Sequence, residues 1–256
     1  MLVINQRKKL FLKMETVYFT ENYADYRSHD ADIVLFYLSQ RSIPGAREFH
    51  TLRIDLKKAE EELWQDMHRT TRNKIRNWNL EKNYRIDILS SPTPEEVRRF
   101  CRSYDDFARN KGIKAADEEL LLMARDKGAL FIFTLYDEND NDICAGADIH
   151  DGETVMNMYA YSHFRKFSDP ARRNWVSKAN RYLHWEMIRH YKEQGYAVRD
   201  MGGLGMGEES KDLDTVDEFK LSFGGKVETL FHFYLPKSII GKLTVFLSQK
   251  NKHIEY

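Results

Sequence analysis

The sequence predicts a mixed α/β protein, and three observations predict it. Helical and strand-like hydrophobic patterns alternate along the whole chain, with no internal repeat and no low-complexity segment. A helix start is spelled out at Thr93-Pro94-Glu95-Glu96, with Thr93 as N-cap, Pro94 in the first turn and Glu96 completing a capping box. Between Ala129 and Tyr161 three strand patterns follow one another across two polar turns. The 256 residues, 42% hydrophobic and 31% charged, have the composition of an ordinary soluble globular protein with enough chain to bury a core.

The elements follow in order. Glu15 to Phe19 and Ile33 to Ser39 read as short strands rich in Val, Ile, Phe and Tyr, and Pro44-Gly45 marks a turn. Phe49 to Leu56 alternates as a half-buried strand. Leu56, Ala59, Leu63 and Met67 recur at helical spacing beside Trp64, and a second helical piece, Thr71 to Leu80, carries Arg72, Lys74 and Arg76. After a strand at Tyr84 to Leu89, the helix begun at Thr93 aligns Val97, Phe100, Cys101, Tyr104, Phe107 and Ala108 on one face. Asp117 to Lys127 is a further helix ending at Gly128.

The strands Ala129 to Tyr136, Ile143 to His150 and Glu153 to Tyr161 form a meander. Its acidic turn, Asp137 to Asp142, lacks the glycine and terminal glutamate of a calcium loop and reads as a solvated hairpin. Trp175 to Tyr191 is the longest helix and stops before Gly195; Tyr196 to Asp200 is a strand, Met201 to Gly207 a glycine-rich loop, Thr215 to Ser222 a helix and Lys226 to Tyr234 the last strand. Beyond Pro236, a terminal helix carries Ile239, Ile240, Leu243, Phe246 and Leu247, a stripe expected to pack on the core rather than to lie on a membrane.

Lysine plus arginine and aspartate plus glutamate both number 40, so no global field draws the chain to nucleic acid or to an anionic membrane. Cys101 and Cys144 fall in different elements without metal-ligand spacing; they read as two buried free thiols, and no metal is expected. The apolar run at Leu2-Val3-Ile4 precedes the charges Arg7-Lys8-Lys9, the reverse of a secretory signal, and no stretch reaches membrane-spanning length. These features place the protein in the cytoplasm.

From Ala129 onward the order is strand, hairpin, strand, strand, long helix, strand, loop, helix, strand, and it resembles the core of the GNAT superfamily. Three patterns sharpen the likeness toward the FemA/FemB/FemX branch. Leu63-Trp64-x-x-Met67-x-x-x-Thr71-Arg72-x-x-Ile75-Arg76 resembles the entry helices of those proteins. Arg199-Asp200-Met201-Gly202-Gly203 resembles a strand end where Asp precedes Gly-Gly, and Glu218-Phe219-Lys220-Leu221-Ser222-Phe223-Gly224-Gly225 looks like their Phe-Lys pattern followed by Phe-Gly-Gly. The resemblance covers roughly Leu56 to Tyr234. It implies a GNAT acyltransferase fold, with a central mixed, largely antiparallel sheet flanked by helices, in a single domain: core about 56–235, N-terminal strand extension 1–55, C-terminal helix 236–256.

It further implies an N-acyltransferase that takes an acyl group, acetyl foremost, from acyl-CoA to an amine on a small-molecule amino sugar or a cell-envelope precursor. The chain departs from the two-domain FemX enzymes in length. It also lacks the superfamily's Arg/Gln-x-x-Gly-x-Gly/Ala phosphate signature, because no glycine occurs between Gly152 and Gly195. Two alternatives therefore stay open, an aminoacyltransferase using aminoacyl-tRNA and a binding module without catalysis.

Acyl transfer to an amine needs an extended donor, a stabiliser for the oxyanion and a route for the proton. The resemblance assigns the stabiliser to Lys220. Asp148 either orients the amine, takes its proton or faces solvent, and His150 shares its strand face. Tyr159 and Tyr161, with Asn157 expected on the same face, pack in a core or, as the resemblance implies for this strand, line the donor channel; the resemblance makes Tyr159 the candidate proton donor to the leaving thiolate. Arg172, Arg173 and Asn174 at the start of the long helix are candidate phosphate ligands. Asp200 with Gly202 and Gly203, together with Arg72 and Arg76, are candidate acceptor contacts; the two arginines are equally a solvated helix face.

Overall fold

The computed structural model describes residues 1–9, 12–28, 30–78, 83–205 and 211–250. Leu80 and Gly207, which close a predicted helix and a predicted loop, lie outside them. The chain forms two compact units, Thr51–Val227 and a second made of Met1–His50 with Glu228–Tyr256.

The larger unit is built on six strands in the order β4-β9-β8-β7-β6-β5. These are β4 (Arg47–Asp55), which enters from the smaller unit, β5 (Tyr84–Leu89), β6 (Leu130–Asp137), β7 (Asp142–His150), β8 (Thr154–Ser162) and β9 (Val198–Gly203). Neighbours run antiparallel except β8 and β9, which are parallel. Among the described residues the sheet is accompanied by the α-helices α1 (Glu60–Asp66), α2 (Arg69–Trp78), α3 (Pro94–Lys111), α4 (Glu118–Asp126), α5 (Pro170–Glu193) and α6 (Lys211–Leu221).

Local signals set many boundaries. The Thr93 hydroxyl accepts from the Glu96 N–H while the Glu96 carboxylate accepts from the Thr93 N–H, so both arms of the capping box form. Asp117 caps α4 through the Leu120 N–H. In the acidic hairpin, the Asp137 carboxylate accepts from the backbone of Asn139 and Asn141, so this turn is organised by its own aspartate. Both cysteines are buried thiols.

The helix α5 starts at Pro170, a turn and more before the apolar stripe suggested. Asp169 accepts from Ala171 N and Arg172 N, and Pro170 occupies the first turn, where its missing N–H costs nothing. Its inner face, with Val176, Leu183, Met187 and Tyr191, joins a core shared with Leu52, Ile54, Ile75, Trp78, Phe133 and Phe223.

The Phe-Gly-Gly motif has a packing reason. Gly225, at φ +98°, turns the chain from α6 into β10 (Lys226–Pro236), and a Cβ there would stand 2.5 Å from the Arg53 carbonyl oxygen. Only glycine tolerates both the left-handed backbone and the approach.

The smaller unit holds β1 (Leu2–Lys9), β2 (Leu12–Tyr18), β3 (Ile33–Ser39) and β10, in the order β1-β2-β3-β10, with β2 and β3 parallel. Val17, Val34, Phe36 and Phe233 form its core. His232 is stacked between the rings of Tyr37 and Phe49, at 3.7 and 4.4 Å. The last helix, α7 (Ile239–Lys250), belongs to this unit, and here the structure corrects the expectation of core packing. Its predicted apolar stripe is exposed, because the helix docks instead through Gly241, whose Cα faces the Asp32 carbonyl.

Two outcomes follow for stability. Gly225→Ala should cost about 3 kcal/mol or more, combining strain with a backbone clash; urea unfolding measures it, and a loss below about 1 kcal/mol would contradict the packing described. For His232, burial first and Arg47 second push the pKa down from 6.5 to about 3. The unfolded chain therefore binds a proton that the folded chain refuses, so its contribution is full above pH 6.5 and is lost as pH falls toward 3. Melting temperature against pH should fall less steeply for His232→Gln than for the parent across that window.

Candidate active site

The parallel strands β8 and β9 pair at Thr154↔Val198, Val155↔Arg199 and Met156↔Asp200, and among the described residues their pairing stops there. β8 stays bonded to β7 as far as Ser162, and β9 to β4 as far as Gly203. The two strands thus part with Asn157–Tyr161 on one side and Met201–Gly203 on the other. Two irregularities accompany the parting. Asn157 faces Asp148 and Tyr159 faces Ala147, so Met158 is an extra residue, a β-bulge that bends β8. On the other wall Gly202 takes φ +80°, and a Cβ on it would come 3.1 Å from the Asn157 carbonyl oxygen.

The bulge changes which face each residue presents. Asn157 sits opposite Asp148, on the face where Gly146 meets Met187 of α5. Tyr159 and Tyr161 sit opposite Ala147 and Ala145, on the other face, where their rings meet Tyr104 and Phe100 of α3. The expectation that Asn157 shares the tyrosines' face is corrected: simple alternation fails where one residue is inserted.

Lys220, near the end of α6, reaches the β9 wall. Its ammonium donates to the Gly203 carbonyl and lies 3.7 Å from where a Gly202 Cβ would be. Burial lowers its pKa below 10.5, while Asp217 and Asp200 pull it back up. Asp200 is buried; it accepts from the Thr51 hydroxyl and, at 2.8 Å, from the Gly202 N–H, which fixes the turn. Burial raises its pKa, against the Thr51 and Gly202 hydrogen bonds. Asp217 accepts from the Gly205 N–H at 2.8 Å and ties the following loop to α6. Lys220, Asp200, Gly202 and Gly203 are therefore one constellation.

Asp148 stands behind the β8 wall, fully buried. Its carboxylate accepts from the Asn157 amide at 2.6 Å and the Tyr191 hydroxyl at 2.9 Å, with the Arg199 guanidinium at 3.7 Å. Burial raises its pKa, and Arg199, Asn157 and Tyr191 oppose that. Arg199 also donates to the His184 carbonyl at 2.7 Å and to His184 Nδ1 at 3.0 Å. A guanidinium has no acceptor, so His184 is neutral with its proton on Nε2; burial, then Arg199, drives its pKa well below 6.5. Thr51, Tyr191 and His184 belong to this arrangement with no role foreseen in the sequence, and Arg199 entered there only as part of its motif. Arg199 was legible as a charge inside a predicted strand, and the others become members only through tertiary contact.

The remaining candidates lie outside these two clusters. His150 is opposite Val155, at the far end of the paired segment; its Nδ1 is 3.1 Å from the Tyr196 hydroxyl, and burial lowers its pKa. Tyr159 accepts from the Asp117 N–H at 3.0 Å, next to the bulge. Tyr161 is buried and donates to Asp142 at 2.7 Å, and burial holds its pKa well above 10. At the start of α5, Arg172 donates to Asp137 at 2.8 Å and stacks 4.0 Å above Trp175, Arg173 lies 4.5 Å over Phe164, and Asn174 is exposed. Arg72 donates to the Gln65 carbonyl at 2.7 Å and Arg76 lies 5.4 Å over Trp64, so both brace the corner between α1 and α2.

No curated protein matches the sequence. Among solved structures the chain is similar to FemX, with 13% identity, TM-score 0.56, 77% of this chain and 63% of that one covered. It is also similar to L-PGS from Bacillus licheniformis (15%, 0.51, 85% and 72%) and to a conserved protein of unknown function from Bacteroides thetaiotaomicron (12%, 0.50, 75% and 62%). The chain thus spans less than two thirds of the FemX chain, and at these identities the likeness is one of fold. The family described as acetyltransferase (GNAT) domain matches residues 65–220, more than half of the sequence, from the end of α1 to Lys220. The chain belongs to this GNAT acetyltransferase family.

Proposed function

We propose that the chain is an N-acyltransferase moving an acyl group, acetyl foremost, from acyl-coenzyme A to an amine on an amino sugar or a cell-envelope precursor, in the cytoplasm. The observation that carries this reading is the Lys220 ammonium set against Gly203 on one wall of the parting between β8 and β9. An acyl-coenzyme A supplies an activated thioester. The backbone edge of Asn157–Tyr161 facing the parting suits an extended amide-bearing arm, which can pair there as a strand would.

Lys220 supplies a positive charge, in a partly desolvated setting, for the carbonyl oxygen that gains charge as the amine adds. Tyr159, beside the bulge, donates its proton to the departing sulfur as the C–N bond forms and the C–S bond breaks, and the proton the amine loses returns to the tyrosine, directly or through water. Asp200 holds the Gly202 turn in place, and Asp148 holds Asn157, so both act by positioning. Gly202 and Gly203 lie where an acceptor would approach. His150, Tyr161, Arg72 and Arg76 are bound up in packing contacts and take no part in the proposed step.

The start of α5 does not suit a diphosphate. Asp169 already accepts from Ala171 N and Arg172 N, Pro170 has no N–H, and Arg172 is paired with Asp137. We derive no step from a phosphate held there, and Arg173 and Asn174 remain candidate contacts only. The same observation favours a second reading, aminoacyl-tRNA as donor.

Titration calorimetry with acetyl-CoA and coenzyme A separates them: binding of either supports the first, and absence of both with a salt-sensitive tRNA shift supports the second. Lys220→Ala should lower kcat about 100-fold or more. Because the cationic form is the working one, kcat should fall as pH rises through a value below 10.5, and Lys220→Arg should move that limb upward. An alkaline limb identical in the arginine variant would remove Lys220 from the site.

A further inference from the structure

The large apolar side chains exposed on the described residues are concentrated on one helix. On α7, Ile239 is 85% exposed, Leu243 59%, Ile240 58%, Phe246 54% and Leu247 51%. At 100° per residue these five fall within an arc of roughly 120°. The opposite side is the docked one. Gly241 backs onto Asp32, where a Cβ would stand 2.1 Å from the carbonyl oxygen, and the chain entering the helix is pinned by Lys237 N donating to Asp32 O at 2.8 Å. The helix cannot roll to bury its stripe without breaking that contact.

Along the sequence, the charge next to the stripe has a single sign: between Glu228 and Glu255 the chain carries Lys237, Lys242, Lys250 and Lys252 and no acidic residue, in a chain whose totals balance at 40 and 40. The acidic side chain against the helix start, Asp32, bonds Ser238 and belongs to the docked side. Lys237 and Lys242 are exposed. A second copy of the chain, meeting the first about a two-fold axis, would set lysine against lysine on a desolvated seam. An anionic surface with an apolar interior answers both features. No helix among the described residues is long and apolar enough to cross a membrane, and the 12 residues of α7 extend only about 18 Å against a hydrocarbon core of about 30 Å.

We infer that α7 is a membrane-surface anchor that lies in the plane of an anionic bilayer, its Ile239–Leu247 stripe among the acyl chains and its lysines at the headgroups. This goes beyond the acyltransferase reading and does not depend on it, since binding is read without substrate.

The test is cosedimentation of the full chain with vesicles of phosphatidylglycerol in phosphatidylcholine and with vesicles of phosphatidylcholine alone, beside light scattering for oligomeric state. The parent should bind the anionic vesicles and leave the neutral ones in solution. The exposed triple variant Ile240→Ser, Leu243→Ser, Phe246→Ser should bind at least about tenfold more weakly with an unchanged circular dichroism spectrum, and Lys237→Glu with Lys242→Glu should also weaken binding. The inference is overturned by a parent that ignores anionic vesicles, by equal binding to neutral ones, or by a triple variant that binds as the parent does. A dimer abolished by the triple variant would equally overturn it and assign the stripe to a second copy.

Discussion

Strands β8 and β9 share three paired positions and then diverge, and the candidate site exists only because something keeps them apart. Backbone groups facing the parting lose their ladder partners, which is costly unless water or a ligand replaces them. The molecule fixes the divergence from both sides. On β8, the bulge at Met158 bends the strand just where Asn157 is held by Asp148. On β9, Asp200 clamps the Gly202 N–H and so enforces a backbone turn that no other residue would adopt readily. Each clamp is thus one constraint that holds the parting in its observed geometry.

Those clamps rest on buried charge. Asp148 and Arg199 are both completely buried, an arrangement whose desolvation cost rivals its Coulombic gain, although removing one member alone typically costs about 3–5 kcal/mol. Such a pair is poor evidence of extra stability and good evidence of specified geometry. Here each partner is directional: Asp148 spends its oxygens on Asn157 and Tyr191, and Arg199 spends its donors on His184. Together they couple β7, β8, β9 and α5 at one level of the sheet. Lys220 works under a related tension. Burial favours its neutral form and outweighs Asp217 and Asp200, which favour the charged one; a charge carried there acts in a setting drier than open water, where a point charge is felt most strongly.

What could be read from the sequence divides along the line between local and tertiary signals. The capping box at Thr93, the helix start at Asp117 and the three meander strands are written within a few residues, and each appears where its pattern places it. Asp169-Pro170 is a local signal too; the apolar stripe beginning at Trp175 drew attention away from it, and α5 begins a turn and more earlier. Lys220 was legible through its motif. The bulge at Met158 was not, because a bulge is defined by its partner strand, and without it Asn157 falls on the wrong face. The α7 stripe was ambiguous for a different reason: a core-facing and a surface-seeking helix share one periodicity, and only the Gly241 contact with Asp32 decides which side is buried.

The electrostatics at the start of α5 bear on the donor. A helix N-terminus attracts one anion, and here the chain supplies its own. Asp169 makes two charge-assisted hydrogen bonds to the backbone, and Arg172 is drawn aside by Asp137 rather than turned toward an incoming ligand. A diphosphate seated there would have to displace a carboxylate that is covalently next to the helix, and therefore present at very high effective concentration. Its phosphates would meet that displaced carboxylate as a neighbour of like sign. A donor whose anionic part is gripped at another place, or is spread along a polymer, avoids this competition, and the step proposed at the parting of β8 and β9 makes the same demands of Lys220 with either donor. In that proposal the question of donor identity moves from the reacting centre to the start of α5.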